Sequence, residues 1–298
     1  MHTTISREYV TSLVPARPAD AHKGVFGHLF IVAGSPGFSG AAFLACEGAL
    51  RSGVGLVTLG VPAGLNSVME IKTTEAMTLP LPETKRHTLS CAAVGPALEF
   101  AGKCSALALG PGISRDGDTA RFVHRFLEKA GLPAVVDADG LNALAGNLEV
   151  LGARTAPTVL TPHPGEMSRL IGATTADIQR DREGCALAFA RERNVVLVLK
   201  GAGTVIASPD GEVAVNVTGG AGLACGGTGD VLTGLIGGLL AQGISPRDAA
   251  VVGVYLHGLA GDLAAEERTE WGMVAGDVVH ALPAAWKRVT RGGHGTGQ

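Results

Sequence analysis

Short, continuous apolar runs separated by helical patterns organise the chain. Residues 28–32, 55–60, 105–109, 134–137, 158–161 and 195–200 each read as a strand without polar alternation. Such runs suit strands covered on both faces, as in a parallel sheet. Helical patterns fall between and after them at 40–52, 119–129, 177–193, 231–242, 246–267 and 276–289. Strand alternating with helix implies crossover connections and an α/β fold, with a central, mostly parallel sheet and helices on both faces. Pro209-Asp210-Gly211 is a turn tripeptide between β-branched flanks at 204–208 and 212–217, and predicts a hairpin. Residues 1–23 are mixed and polar and read as an N-terminal arm, 24–290 as one α/β domain, and the Gly-rich 291–298 as a frayed tail.

Composition narrows the function. Hydrophobic residues make up 46% and charged residues 17% of 298, enough for a large core and against intrinsic disorder. A formal net charge of −3 and only 4% aromatics argue against nucleic acid as the partner, which favours basic patches or stacking platforms. Gly 44 and Pro 15 together are about a fifth of the chain, below the roughly 25–30% of low-complexity sequence. The glycines therefore belong to particular turns. Five cysteines without a CxxC pair fit neither a disulfide framework nor a metal knuckle. The longest apolar run, 231–241, is too short for a membrane span of ~20 residues, and no charged leader with an apolar stretch opens the chain. The expectation is a reduced, cytoplasmic protein without a membrane partner.

The densest chemical signal runs from Thr218 to Asp230 and includes Gly226-Gly227-Thr228-Gly229-Asp230. Val231, Leu232, Leu235, Ile236, Leu239 and Leu240 follow at helical spacing, so a glycine loop opens a buried helix with Asp230 at or near its N-cap. Free N–H groups and the dipole of such a terminus bind anions. A carboxylate there repels phosphate, which makes sense if it faces a hydroxyl attacking the phosphorus; otherwise Asp230 is a plain cap. No GxxxxGK[ST] occurs, and Gly34-Ser35-Pro36-Gly37 lacks the Rossmann spacing.

Three further stretches leave strand ends, where ligands of parallel sheets lie. Thr161-Pro162-His163-Pro164-Gly165-Glu166 offers His163 to a substrate and Glu166 to Mg²⁺ through water, or Glu166 merely occupies a first helical turn. Asp137 and Asp139 could steer a metal or a base, or Asp139 caps a short helix. Lys200-Gly201-Ala202-Gly203-Thr204 could wrap a nucleotide, or simply enter the hairpin. His28 and His257 read as packed or exposed histidines rather than ligands.

Gly226-Gly227-Thr228-Gly229-Asp230 resembles the GxGD anion-hole motif of ribokinase-like small-molecule kinases. The ordered set GSPGFSGAAFLACEGALRSGVGLV, LGPG, VDADGLNAL, LTPHPGE, LKGAGT and NVTGGAGLACGGTGDVLTG is similar to the ADP-dependent NAD(P)H-hydrate dehydratases, over about residues 23–260. That resemblance implies a ribokinase-like fold and ADP-dependent dehydration of (6S)-NADHX and NADPHX to NADH and NADPH, releasing AMP and phosphate. It implies Asp230 as base, with Gly227 and Gly229 in the anion hole. Ala41, Gly112, His163 and Asp230 then contact the hydrated dinucleotide, and Lys200, Gly201, Ala202, Gly203, Thr204 and Gly229 the adenine nucleotide. Glu166 stands near Mg²⁺, with ADP as co-substrate. A homotetramer and a separate epimerase are implied as partners. His163, where the superfamily usually has Asn, favours dehydratase over the alternatives, a kinase of a hydroxymethyl pyrimidine, thiazole or pyridoxal-like substrate and, more remotely, a non-catalytic nucleotide sensor. Cys225 stands at a position often small or basic in that family.

Overall fold

The computed structural model describes residues 2–18 and 20–290; the expected tail, 291–298, lies outside the described residues. Among the described residues ten strands form one sheet: β1 (His2–Ile5), β2 (His28–Val32), β3 (Leu56–Pro62), β4 (Met77–Leu81), β5 (Ala106–Leu109), β6 (Ala134–Val136), β7 (Thr158–Leu160), β8 (Val196–Leu199), β9 (Val205–Ala207) and β10 (Val213–Asn216). Their order is β1-β10-β9-β8-β7-β6-β5-β2-β3-β4, and only β9 runs antiparallel to its neighbours.

Alternate residues of each central strand enter two different cores. Leu29, Ile31, Ala106, Ala108, Val135, Val159, Val196 and Val198 pack on one face, while Phe30, Val32, Leu107, Leu109, Val136, Leu160, Leu197 and Leu199 pack on the other. Burial on both faces explains the continuous apolar runs. The first face carries helices Ser39–Leu50, Thr228–Ala241, Pro246–Gly272 and Ala275–Thr290, and the second carries Val94–Ala101, Gly117–Lys129, Asp139–Leu144, Pro164–Ile171 and Arg182–Arg193.

The stretch expected as a polar arm joins the body. Residues 2–5 pair in parallel with β10, and helix Arg7–Leu13 follows; Ile5 and Val10 are fully buried. Two apolar anchors in a polar stretch gave no periodic signal. The expected helix at 177–193 is two helices, Thr175–Arg180 and Arg182–Arg193. Asp181 leaves helical geometry between them and accepts the Gly184 N–H at 2.9 Å, acting as a cap.

Helix Thr228–Ala241 is seated by close backbone approach. A Cβ on Gly48 would strike the Val231 carbonyl, and one on Gly234 the Ala45 carbonyl. This crossing with Ser39–Leu50 seats the helix on the sheet, and its N-terminus reaches the carboxyl ends of β6 and β8: a Cβ on Gly229 would lie 3.4 Å from Lys200 Nζ and 3.7 Å from Asp137 Oδ2.

The chain also changes direction between β2 and β5. From β2 it proceeds through β3 to β4 on one side, and then returns to β5 on the other. The helices after β2 and β5 pack on opposite faces. That is the topological switch point at which open parallel sheets bind ligands.

Candidate active site

The glycine loop begins the buried helix, and Asp230 falls near its N-cap. Gly227, in the left-handed region at φ 97°, is the N-cap, so Thr228 and Gly229 open the helix and Asp230 is its third residue. A Cβ on Gly227 would collide with Leu44, so neither the conformation nor the space admits a side chain. The N-cap of this helix makes no side-chain cap bond, and among the described residues nothing hydrogen-bonds the Asp230 carboxylate. The plain-cap reading of Asp230 therefore lacks its bond.

Asp137, Glu166 and Lys200 surround that carboxylate. Lys200 Nζ lies 2.7 Å from Asp137 Oδ1 and 3.9 Å from Glu166 Oε2. Asp137 Oδ2 accepts the Thr233 hydroxyl at 2.6 Å, and that hydroxyl lies 3.1 Å from the Gly229 carbonyl. Burial, with the negative charges of Asp137, Glu166 and Asp139 and against the pull of Lys200, pushes Asp230 up to about 7. Burial opposes charge on Lys200, yet Asp137, Glu166 and Asp230 hold its pKa above the usual lysine value. A perturbed acid opposite a buried cation, at a helix N-terminus, marks a functional site.

His163 caps helix Pro164–Ile171. Its Nδ1 accepts the N–H groups of Gly165 at 3.0 Å and Glu166 at 3.4 Å, while Glu166 Oε2 accepts the His163 N–H at 2.9 Å, so His163 and Glu166 form a reciprocal capping box. Nδ1 as acceptor puts the proton on Nε2 in the neutral ring. Burial, joined by Lys200 and Arg169 against Glu166 and Asp137, holds His163 below the usual imidazole range. Glu166 thus does occupy a first helical turn; its Oε1 lies 3.5 Å from His163 Nε2.

The sequence shows Asp137 as one of two carboxylates at a strand end and gives it no more definite role than steering a metal or a base. Its partner Lys200 lies 63 residues away, so no local spacing could reveal the pair. What was readable is the odd chemistry of Val135-Val136-Asp137-Ala138-Asp139 itself. Ala138 stands at φ 51°, ψ −119°, a strained setting for a residue with a Cβ. Asp139 is the first residue of helix Asp139–Leu144; it accepts the Ser114 N–H at 3.0 Å and the Asn142 amide at 3.0 Å.

Ala41 and Gly112 meet at the switch point, where a Cβ on Gly112 would lie 3.1 Å from the Ala41 Cβ and 2.7 Å from that of Phe38. The buried Ser35 hydroxyl accordingly reaches the Gly112 carbonyl at 2.8 Å. Gly201, Ala202, Gly203 and Thr204 form the loop between β8 and β9. Arg182 pins it by donating to the Ala202 carbonyl at 2.6 Å and the Leu199 carbonyl at 2.9 Å. Among the described contacts only Lys200 of that stretch reaches the acidic cluster.

His257 is packed, as expected: it is buried, and Nε2–H donates to the Thr228 carbonyl at 2.8 Å. Burial pushes its pKa down to about 4, so it stays neutral. His28 lies half-buried against Thr58, at 2.8 Å, and the edge of Phe100. All five cysteines are free thiols. Among the described residues no three His, Cys, Asp or Glu side chains form a metal cage, and no helix is long and apolar enough to cross a membrane.

Comparison with known proteins places the chain in a family. The family model for NAD(P)H-hydrate dehydratase matches residues 29–284. A bifunctional NAD(P)H-hydrate repair enzyme Nnr of Moorella thermoacetica is 51% identical over 94% of this chain and 53% of its own. The chain spans about half the length of such bifunctional relatives. A crystal structure of the ADP/ATP-dependent NAD(P)H-hydrate dehydratase from Bacillus subtilis, co-crystallised with ATP/Mg²⁺, superposes with TM-score 0.82. It is 34% identical, over 96% of this chain and 98% of that one. A ribokinase-like superfamily protein of Enterococcus faecalis, 24% identical over 97% of each chain, reaches the same TM-score and shares the fold.

Proposed function

The chain belongs to the NAD(P)H-hydrate dehydratase family, and from that premise we propose that it removes water from the (S) epimers of NADHX and NADPHX at the expense of ADP. Hydroxide is a poor leaving group, and a kinase fold solves this by phosphorylation. Asp230 takes the proton of the ring hydroxyl, whose oxygen attacks the terminal phosphorus of ADP and releases AMP. The ring nitrogen's lone pair then expels phosphate, and a neighbouring ring carbon gives up a proton to restore the dihydronicotinamide. Products are NAD(P)H, AMP and phosphate.

The observation that carries this reading is the Asp230 carboxyl, without a hydrogen-bond partner among the described residues and held at about 7 on the first turn of a glycine-capped helix. A base serves best when its pKa lies near the working pH. The N–H groups of Gly226 to Gly229 suit the charge on the moving phosphoryl group. Lys200, held between Asp137 and Glu166, is suited to the ADP phosphates, with Gly201, Ala202, Gly203, Thr204 and Gly229 along the adenine nucleotide. Ala41, Gly112 and His163 take the hydrated dinucleotide.

Mg²⁺ keeps several waters and uses one or two carboxylates with substrate phosphates; the buried Glu166 carboxylate is a hard oxygen donor of that kind, and Glu166 would hold the ion through water. Bound with ADP, it neutralises phosphate charge. The five free thiols and the composition favour a cytoplasmic setting. A homo-oligomer, with a tetramer implied by the resemblance, and an epimerase for the other hydrate epimer complete the proposed partners. The test is incubation with NADHX, ADP and Mg²⁺, following absorbance at 340 nm and free phosphate. Recovery of NADH with one phosphate per turnover is expected. A stable phosphorylated product without NADH would mark a kinase, and nucleotide binding without turnover a sensor.

A further inference from the structure

Beside the substrate end of this site lies a cavity of about 150 Å³ whose lining includes Ser114, Arg115, Asp139, Asn142 and Arg169. It is smaller than the roughly 300–1,000 Å³ of a pocket that engulfs a drug-sized ligand, so it takes one group of a larger molecule. Its position is set by residues already placed. Ser114 follows Gly112 by two residues, and Arg169 lies one turn beyond Glu166 in helix Pro164–Ile171. A Cβ on Gly165 would lie 3.9 Å from Arg169 Nη1, beside His163.

The two guanidinium groups are held by one chain of contacts. Arg169 Nε donates to Asn142 Oδ1 at 2.8 Å, the Asn142 amide donates to Asp139 Oδ1 at 3.0 Å, and Arg115 Nε lies 3.6 Å from the same oxygen. Asp139 Oδ2 is engaged by the Ser114 N–H. These bonds use the Nε atoms, and the terminal Nη groups of both arginines have no partner among the described residues. The reacting centre beside them is rich in carboxylates: Asp137, Glu166 and Asp230, with Lys200 as their cation. A dinucleotide brings at least two negative charges of its own. It needs cations away from that centre, and two forks with free ends match phosphate geometry.

Building on the proposed function, we propose that Arg115 and Arg169 bind a phosphate of the hydrated dinucleotide, either its pyrophosphate or the 2′-phosphate that distinguishes NADPHX from NADHX. Asp139 and Asn142 are positioning residues that hold the two forks open toward the cavity. Neither arginine touches the reacting ring.

The experiment measures equilibrium binding of NADP⁺ and NAD⁺ to the full chain by calorimetry, for wild type, Arg115→Gln, Arg169→Gln and the double variant. The double variant is expected to lose tenfold or more in affinity. Loss confined to NADP⁺ assigns the 2′-phosphate, and equal loss for both assigns the pyrophosphate. Arg169→Lys keeps the charge without the fork and should fall between. Unchanged affinity for both dinucleotides in the double variant, with its melting temperature intact, overturns the proposal, as does a wild type that binds neither. A chain that binds them through these arginines yet fails to restore NADH loses the proposed activity and keeps this site.

Discussion

Lys200 Nζ sits 2.7 Å from Asp137 Oδ1, while the other oxygen of Asp137 takes the Thr233 hydroxyl at 2.6 Å. Asp137 is 1% exposed, so both its lone-pair faces are engaged and it is no free base. It anchors the end of β6 to the end of β8 and to the first turns of helix Thr228–Ala241. Asp230 and Glu166 then face a cation that Asp137 has already fixed.

Removing that cation should therefore cost stability as well as nucleotide affinity. Lys200→Met leaves Asp137 buried without its ion-pair partner, and breaking a buried pair from one side costs about 3–5 kcal/mol. Urea denaturation at pH 7.5 should show a lowered midpoint at unchanged slope. A loss below about 0.5 kcal/mol would mean that solvent or Thr233 alone satisfies Asp137.

The same charges set a pH dependence. Asp230 must be ionised to accept a proton, and its value is about 7. Plots of log kcat/KM against pH should therefore rise with unit slope and level off near 7. Because Lys200 pulls Asp230 downward, Lys200→Met should move that limb to higher pH in whatever activity remains. A profile flat from pH 5 to 8 would remove Asp230 as the titrating base.

Stability should run the other way at Asp230. Its folded value lies above the unfolded one, so between about 4 and 7 the native chain holds a proton that the unfolded chain has released. This contribution therefore falls as pH rises through that window, and the penalty is complete above 7. Asp230→Asn removes the penalty. The variant should be more stable than wild type at pH 8, by up to about 4 kcal/mol at about 1.4 kcal/mol per pH unit, with the gain fading toward pH 4.

The central strands were legible because two-faced burial leaves a plain mark, an unbroken apolar run such as 29–32. β4 carries Pro80 at the sheet edge, and β1 carries two threonines; neither has an apolar run, and their pairing partners are supplied by tertiary structure. The glycine loop was legible because glycines followed by a helical pattern have few other uses. Its register was not, since Gly227 caps without a side chain. Glu166 in a first helical turn was readable from local spacing, but His163 as its cap was not, because histidine is outside the usual set of capping residues. The Asp137–Lys200–Thr233 network and the Arg115–Arg169 cavity join residues distant in sequence, which periodicity does not report.

Two neighbouring glycines separate folding from phosphate binding. At Gly227, with φ 97° and Leu44 against the missing Cβ, alanine combines a left-handed penalty of about 1–2 kcal/mol with overpacking of about 1–3 kcal/mol. At Gly226 nothing lies within 4 Å of an added Cβ, so alanine should leave the melting temperature within a degree or two. If the Gly226 backbone faces the ADP phosphates, that methyl still obstructs them. Calorimetry should show ADP affinity falling at least tenfold in Gly226→Ala, with stability unchanged. Normal affinity there would take Gly226 out of the anion hole.

The sharpest division between catalysis and structure is again Asp230→Asn, read for turnover. Asn matches Asp in size, and no hydrogen bond to the native carboxylate is lost, because none is present among the described residues. The fold should survive, and ADP should bind at least as well, since a negative charge beside its phosphates is gone. Melting with ADP and Mg²⁺ checks this: a ligand at a hundredfold excess over Kd stabilises by about 2.7 kcal/mol, and the variant should keep that shift. Turnover of NADHX should nonetheless drop about 10²–10⁴-fold, the usual contribution of a positioned acid–base group. Wild type and variant then share a nucleotide complex and differ in one proton acceptor. NADHX repair within a few-fold of wild type would show that the hydroxyl loses its proton elsewhere, and would remove Asp230 from the mechanism while leaving the fold and the anion hole as they stand.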